Sequence, residues 1–402
     1  MRRITFAGAE ARSFKRAAIV LREVGGQDVS AKTIERVVHD VGGELAARRD
    51  ADPKTADALA KRPESPPELA VVECDGGRIR TREPDRGPGV HRTGEGWRET
   101  KNACLIRALG KTFEEDPQPE PPACFGDPTH VAKIAEAEAL SVAAARPETV
   151  PRTQASRALE PTGPVAPADW RPKRLVRTVL GSVADSRDFG QQMAREAKRR
   201  RFFEAPAQAF LGDGLPWNWS IWKRHFREFT PILDFIHVLS YLFSAADAVH
   251  EEAEGGWEQY LVWMRGAWQG DVAQILEELR AWQRRWGVLP DDASEDDPRK
   301  ILAKAITYLT NNQERMRYPA YRRAGLPVTT AWMESLVKEM NYRVKGTEMF
   351  WNDPAGAEAI LQVRAAALCD DDRLAAHLDA RSGCPFTRRP RAPKLALQGI
   401  RG

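Results

Sequence analysis

The sequence predicts a mixed α/β protein in which strands come first and helices dominate the second half. Two apolar, strand-like runs each lead to an aspartate followed by glycine: residues 71–74 lead to Asp75, and residues 207–212 lead to Asp213. Between Asp213 and Glu334, apolar and aromatic residues recur at helical spacing. We therefore expect an α/β core with a large all-helical insertion between Asp213 and Glu334, and a small helical region at the N-terminus.

The composition excludes several classes of protein. A chain of 402 residues is long enough for two or three domains. Its most apolar stretch, residues 231–249, contains Asp234, His237 and Asp247, so no membrane span is expected. The five cysteines include no CxxC pair, which favours a reducing cytoplasm and argues against a zinc knuckle.

The net charge of +4 is unevenly placed along the chain. Residues 171–201 hold ten basic and three acidic residues, and residues 381–402 hold six basic residues and no acidic one. Such patches are typical of nucleic-acid binding, although a solvated helix face or a solubilising tail gives the same pattern. Both interpretations stay open at this point.

Residues 1–62 are expected to be helical. Residues 14–24 carry apolar residues near helical spacing, Gly25 and Gly26 break the chain, and Ser30 is a plausible N-cap for the next helix. This outline fits a helix-turn-helix DNA-binding region, either whole or truncated. Any small helical hairpin has the same outline, so the pattern does not decide between the two.

Two segments are expected to form the core, with a linker between them. Residues 63–110 hold two strands, the first of which carries Asp75. Residues 111–172 are rich in proline around one Ala/Glu-rich helix, which indicates an extended linker. Residues 173–250 hold a short strand, a basic helix and the strand that leads to Asp213.

The rest of the chain is expected to be mostly helical. Residues 251–316 form the helical insertion, with tryptophans and tyrosines at helical spacing. Residues 317–370 hold the helix of Glu334 and a C-terminal helix that begins near Pro354. Residues 371–402 form a basic tail that we expect to be disordered.

Three carboxylates are candidates for a shared metal site. Asp75 and Asp213 follow strands, and Glu334 lies on a helix with Lys338 one turn later. Carboxylates and substrate phosphates hold Mg²⁺, and a pair of such ions can clamp the attacking and leaving oxygens of a phosphodiester. The alternatives are ordinary Asp-Gly turns and a solvent-facing Glu334–Lys338 pair.

Several motifs resemble those of bacterial insertion-sequence transposases of the ISKra group, which are relatives of the Mutator-like superfamily. The central one is residues 211–219, Leu-Gly-Asp-Gly-Leu-Pro-Trp-Asn-Trp. The other matching positions, within a resemblance that spans residues 30–387, are Asp75–Gly77, Arg78, Arg80, Asn311, Asn312, Arg315, Met316, Tyr318, Tyr321, Arg322, Gly325–Pro327, Glu334, Ser335, Lys338, Arg343, Lys345, Gly346 and Trp351. The chain departs from the family at Thr329–Ala331, where Gly-Ser-Gly is expected, and at Glu348 and Phe350.

The resemblance implies a DDE transposase with an RNase H-like core, which cleaves DNA strands and transfers them. It implies that Asp75, Asp213 and Glu334 are catalytic and bind Mg²⁺ or Mn²⁺, as two ions, with no organic cofactor. The implied partners are the terminal inverted repeats of the element, target DNA and further copies of the chain on DNA. The implied location is the bacterial cytoplasm, at the nucleoid.

Candidate DNA contacts come from the matching basic and aromatic positions, which are Trp217, Arg315, Arg322, Lys338, Arg343 and Lys345. Trp217 and Trp219 can stack on a flipped base, but we favour core packing because aromatics at helical spacing usually face a core. Asp234 and His237 resemble the Asp-x-x-His element of Mutator-like transposases. A buried, hydrogen-bonded histidine explains them equally well.

Two other functions fit the same features. A degenerate or truncated copy of an element would bind DNA without cleaving it, although such a copy tends to lose a carboxylate. A stand-alone metal-dependent nuclease would share the metal site and would cleave without regard to the ends of an element.

Overall fold

The computed structural model describes residues 1–52, 54, 65–81, 97–143, 170–290, 292–345, 351 and 354–381. The strands are β1 Leu69–Arg80, β2 Trp97–Leu109, β3 Lys173–Ser182, β4 Ala207–Gly212 and β5 Thr230–Leu233. The helices are α1 Arg2–Glu10, α2 Phe14–Glu23, α3 Ala31–Arg49, α4 Pro128–Ala143, α5 Ser186–Arg199, α6 Pro216–His225, α7 Phe235–Val249, α8 Ala253–Gln269, α9 Val272–Trp286, α10 Pro298–Asn312, α11 Tyr318–Arg323, α12 Ala331–Val344, α13 Pro354–Ala367 and α14 Arg373–Asp379. The predicted mixed α/β class is confirmed at this level.

The five strands form one mixed sheet in the order β3-β2-β1-β4-β5. Strand β2 runs antiparallel to both of its neighbours, while β1, β4 and β5 are parallel to one another. In β1, Val71 and Val72 point to opposite faces and are both fully buried. A strand that is covered on both faces must be apolar almost without interruption, which explains the run that begins at Leu69.

Helices cover both faces of the sheet. On one face, α5 and α6 pack against the strands around a cluster that includes Phe189, Phe210 and Phe226. On the other face, α12 contacts β1 and β2, and α13 contacts β3. Because side chains alternate along a strand, Cys74 belongs to the first face, and Glu73 and Asp75 to the second.

The N-terminal helices pack onto the helices of the second face. The backbones of α3 and α13 touch at Gly42, where a Cβ atom would lie 2.1 Å from the carbonyl oxygen of Ala359. The apolar side of α3, with Ile34 and Val38, is fully buried. Ser30 caps α3 as predicted, by accepting a hydrogen bond from the backbone N–H of Thr33 at 3.1 Å. The DNA-binding role of this region remains a prediction.

The chain between β5 and α12 is helical within the described residues. The run around Trp257–Trp286 is divided into α8 and α9 by Gly270, which adopts a left-handed conformation with φ of 95°. At the C-terminus, the segment predicted as a disordered tail begins with helix α14, and residues 382–402 lie outside the described residues. None of the described helices combines the length and the apolar character that crossing a membrane requires.

Candidate functional site

Asp75 and Asp213 lie side by side at one end of the ladder between β1 and β4. The parallel register pairs Cys74 with Gly212, so the next residue of each strand is the aspartate. Strand β4 ends there, while β1 continues alongside β2 to Arg80. Both carboxyl groups contribute to raising the pKa of the buried Cys74 thiol, after the larger effect of burial. The sheet therefore brings together two residues that are far apart in sequence.

The surroundings of Asp213 fix its position. Its Oδ1 accepts hydrogen bonds from the backbone N–H of Leu215 at 2.9 Å and from the side-chain amide of Asn218. Its carbonyl oxygen accepts a hydrogen bond from the Tyr308 hydroxyl at 2.8 Å. Gly214 has a φ of 102°, and a Cβ there would lie 2.5 Å from Cε2 of Tyr308. Only glycine suits this turn, which explains the Asp-Gly pair at the end of β4.

Glu334 lies in the first turn of α12, on the helix that covers β1 and β2. Burial raises the pKa of its carboxyl group, and the nearby charge of Asp234 raises it further. Lys338, which is exposed one turn later, and His237 act in the opposite direction. Glu334 therefore faces the sheet as a half-buried acid and is not a freely solvated surface residue.

Asp234 and His237 lie at the start of α7, beside Glu334. Asp234 is fully buried. Its Oδ2 accepts a hydrogen bond from Nδ1 of His237 at 2.5 Å, and its Oδ1 accepts one from the backbone N–H of Thr330 at 2.8 Å. The two residues form a hydrogen-bonded pair in which the His237 side chain is 20% exposed, and the Asp-x-x-His role remains a prediction. The charge of the same Asp234 carboxylate raises the pKa of Glu334, so the pair also adjoins the candidate site.

Two buried polar residues next to the aspartates were not predicted. Glu73 is fully buried and neither of its carboxyl oxygens has a hydrogen-bond partner. Burial raises its pKa well above the usual range, as do the charges of Asp234 and Glu334; the Met333 backbone amide opposes this without reaching hydrogen-bond geometry. Asn102, directly opposite Asp75 on β2, has an unpartnered Oδ1. The sequence could have indicated Glu73, because it stands two residues before Asp75 and this spacing places both acids on the same face of the strand.

The carboxylates do not by themselves enclose a metal ion. Across the described ranges, no group of three His, Cys, Asp or Glu side chains is arranged to hold one. The hard oxygen donors of Asp75 and Asp213, side by side after the last β1–β4 pair, nevertheless suit Mg²⁺, which is usually held by one or two carboxylates together with substrate phosphates and water. The donor set therefore fits an ion that is bound together with its substrate.

Two of the predicted DNA contacts are instead buried inside the protein. The guanidinium of Arg322 is fully buried, pairs with Asp116 at 2.8 Å and lies 4.1 Å from the ring centre of Trp268. Arg343 donates to the carbonyl oxygen of Gly8 at 2.7 Å and stacks on Phe14, and burial lowers its pKa to about 10. Neither side chain lies on a surface that DNA can reach, and both join distant segments of the fold.

Trp217 and Arg315 are half-buried. The ring of Trp217 packs against the core cluster beneath α6, and Nζ of Lys101 lies 5.4 Å from its centre. Arg315 lies 4.3 Å from the ring centre of Trp219 and donates to the carbonyl oxygen of Asn311 at 2.9 Å. These contacts agree with the packing role that we favoured for the tryptophans.

Lys338 and Lys345 are the predicted contacts that remain exposed. The pKa of Lys345 is lowered by partial desolvation and by the neighbouring cations Arg78 and Arg80. Trp351 explains this proximity, because its backbone N–H donates to the carbonyl oxygen of Arg80 at 2.8 Å and its indole N–H to that of Val344 at 3.2 Å. A basic cluster of Arg78, Arg80 and Lys345 therefore lies where β1 extends beyond Asp75.

Comparisons with known proteins give no family assignment. No family model and no curated protein matches the sequence. Among solved structures, the chain is similar to the Drosophila P element transposase strand transfer complex at 9% identity and a TM-score of 0.29, covering 89% of this chain and 96% of that chain. A TM-score this low carries no argument about fold or function. The resemblance to ISKra-group transposases therefore remains a prediction from the motifs.

Proposed function

We propose that this chain is a DDE transposase, built on an RNase H-like core, which cleaves and joins DNA strands with the help of divalent metal ions. The observation that carries the proposal is that Asp75 and Asp213 directly follow the last paired residues, Cys74 and Gly212, of two neighbouring parallel strands. Helix α12 brings Glu334 to the same face of the sheet. Three carboxylates from separate parts of the chain thus lie on the same side of the sheet, and we propose that they act together when metal ions and DNA are bound.

Each acid has a distinct task in this proposal. Asp213 is held by Leu215 and Asn218, so its carboxylate is pre-oriented. Asp75 stands beside it on a strand that continues past the site. Mg²⁺ or Mn²⁺ ions bound with the DNA phosphate would lower the pKa of an attacking water or 3′-hydroxyl and stabilise the leaving oxygen. Glu334 would complete the site from the helix side, where burial and the like charge of Asp234 raise the pKa of its carboxyl group and Lys338 and His237 oppose this effect.

The basic cluster of Arg78, Arg80 and Lys345 supplies a path for the DNA backbone. It begins three residues after Asp75 on the same strand. Burial lowers the pKa of Lys345, and repulsion from the nearby charges of Arg78 and Arg80 lowers it further. A phosphate group would relieve this repulsion, and phosphate contacts position DNA without reading its sequence. Lys338, exposed one turn after Glu334, extends the path along α12.

The proposed partners follow from the reaction. Joining the ends of an element to target DNA requires the protein to hold several DNA segments, so we expect copies of the chain to associate on paired ends. In a bacterial cell this work takes place in the cytoplasm, at the nucleoid. Sedimentation that shows only monomers on paired end DNA would contradict the expected association.

Strand cleavage of a supercoiled plasmid tests the proposal. The plasmid carries the DNA that flanks the gene on both sides, where the inverted repeats of an element would lie, and the reaction contains Mg²⁺ or Mn²⁺. Wild type is compared with Asp213→Asn and with Asp247→Asn, a matched change at an exposed position of α7. We expect metal-dependent nicking at the repeats by wild type and Asp247→Asn, and none by Asp213→Asn. The absence of cleavage by folded, DNA-bound wild type would refute the proposal.

One observation favours a second candidate, a copy that binds DNA without cleaving it. Across the described ranges no three potential ligands are arranged around a common point. This candidate predicts binding to the repeats without nicking at any metal concentration. A stand-alone nuclease, in contrast, would nick plasmids with and without the repeats at equal rates. The same assay therefore distinguishes the three functions.

A further inference from the structure

Asp234 connects the two halves of the candidate site. We propose that it is a positioning residue, which fixes the helix of Glu334 relative to the strand end of Asp213. This inference rests on the proposed function, because it gives Asp234 a role in setting the distance between two catalytic carboxylates.

The first connection is from Asp234 to β4. Its backbone N–H donates to the carbonyl oxygen of Gly212 at 3.0 Å. This bond continues the β4–β5 ladder by one residue, to the position just before Asp213. The backbone of Asp234 is therefore held directly beside the turn that presents the Asp213 carboxylate.

The second connection is from Asp234 to α12. Oδ1 of Asp234 accepts a hydrogen bond from the backbone N–H of Thr330 at 2.8 Å. Thr330 is the N-cap of α12, and its carbonyl oxygen accepts the backbone N–H of Glu334 at 2.9 Å. A second bond, from the backbone N–H of Phe235 to the carbonyl oxygen of Val328 at 3.0 Å, holds the same approach to the helix.

The third connection keeps the Asp234 side chain in this orientation. His237 donates from Nδ1 to Oδ2 at 2.5 Å, and the backbone N–H of Ile236 donates to Oδ1 at 3.4 Å. A fully buried carboxylate is costly unless hydrogen bonds compensate for its lost hydration. Together, the hydrogen bonds of Asp234 fix the positions of β4, α7 and α12 relative to one another. Residues that orient metal-binding groups in this way typically change metal affinity or activity by 10- to 100-fold when they are altered.

Two substitutions remove the connection to α12 from opposite sides. Asp234→Val deletes the acceptor, whereas Thr330→Pro deletes the donor N–H and keeps the Asp234 carboxylate, at a φ of −88°. Asp234→Asn keeps an oxygen that can accept the Thr330 bond. Asp297→Val is the matched control, because Asp297 caps α10 through the backbone N–H of Arg299 at 2.9 Å without contact to the site.

The first readout is hydrogen exchange at the amides of residues 331–336, which does not depend on activity. We expect Asp234→Val and Thr330→Pro each to speed exchange there by at least about tenfold, with Asp234→Asn and Asp297→Val close to wild type. Unchanged exchange in both disruptive variants would overturn the positioning role. If Asp234→Val does not fold, Thr330→Pro decides the result.

The second readout is the Mn²⁺ concentration that gives half-maximal nicking. We expect it to rise about 10- to 100-fold in Asp234→Val and Thr330→Pro, and to stay within about threefold in Asp234→Asn. DNA affinity, measured in Ca²⁺, should not change. Faster exchange with an unchanged metal requirement would overturn the catalytic part of the inference. If both disruptive variants exchange faster than wild type but wild type never cleaves DNA, the proposed function is overturned and the positioning of the helix is not.

Discussion

The side-chain amide of Asn218 donates a hydrogen bond to Oδ1 of Asp213. Its carbonyl oxygen accepts a weak hydrogen bond from the thiol of Cys74, the residue before Asp75, at 3.4 Å. Asn218 is fully buried, and a Cβ at Gly212 would lie only 2.9 Å from its Nδ2 atom. One buried amide thus connects β1 with the end of β4, at the point where the ladder between these two strands stops.

Replacing Asn218 should therefore impair cleavage more than DNA binding. Asn218→Ala leaves Oδ1 of Asp213 without its side-chain donor, so we expect the rate of metal-dependent nicking to fall about 10- to 100-fold. DNA affinity, measured by filter binding in Ca²⁺, should stay within about twofold of wild type. Asn311→Ala, at an exposed asparagine of α10, is the control. Equal rates for both variants would contradict the orienting role.

The buried acid Glu73 should make the protein less stable as the pH rises. Its pKa is raised well above the usual value of 4.5, so the folded state binds a proton more tightly than the unfolded state. The resulting stability is complete below pH 4.5 and is lost as the pH rises through the pKa of the folded state. Glu334, whose pKa is also raised, contributes in the same direction.

Glu73→Gln tests this pH dependence, because it keeps the shape of the side chain and removes the charge. We expect the variant to be more stable than wild type by about 1 kcal/mol or more near pH 8, and nearly equal to it near pH 4. Urea denaturation at both pH values measures the difference. Glu68→Gln, at an exposed position just before β1, should leave the pH dependence unchanged. A wild-type curve that is flat over this range would show that Glu73 is not buried as an acid.

Arg322 should matter for stability and not for DNA binding. Its guanidinium also donates to the carbonyl oxygen of Trp268 at 3.0 Å, so Arg322→Ala removes several buried contacts and leaves Asp116 without its partner. Breaking a buried ion pair costs about 3–5 kcal/mol, and we expect the lower end because Asp116 is partly exposed. Arg323→Ala changes the exposed neighbour and should cost less than about 0.5 kcal/mol. Chemical denaturation measures both, and a stable Arg322→Ala with weakened DNA binding would restore the original DNA-contact prediction.

The basic cluster should set part of the salt dependence of DNA binding. Lys345→Gln removes one cation next to Arg78 and Arg80, so we expect weaker binding on every DNA sequence. The slope of log K against log salt should fall in magnitude by about 1. Lys15→Gln, at an exposed position of α2, is the matched control. An unchanged slope in Lys345→Gln would place the DNA path elsewhere.

Local patterns in the sequence determined the elements that carry the candidate site. The apolar run before Asp75 and the Gly-Asp-Gly turn at Asp213 mark where strand character ends, because strand and turn preferences act over a few neighbouring residues. The same holds for the start of α3 at Ser30 and for the helix of Glu334. Residues 53, 55–64, 82–96, 144–169, 291, 346–350, 352–353 and 382–402, including part of the predicted linker and most of the predicted tail, lie outside the described residues.

Only the tertiary structure decided which residues meet. The neighbouring positions of Asp75 and Asp213, the burial of Arg322 and Arg343, and the hydrogen bond from Thr330 to Asp234 all join residues that are distant in sequence. An arginine that pairs inside the fold and one that faces DNA have the same letter and similar neighbours in the chain. Their difference arises from the packing of remote segments, since burial and charge pairing depend on the partner that the fold supplies and not on the local sequence.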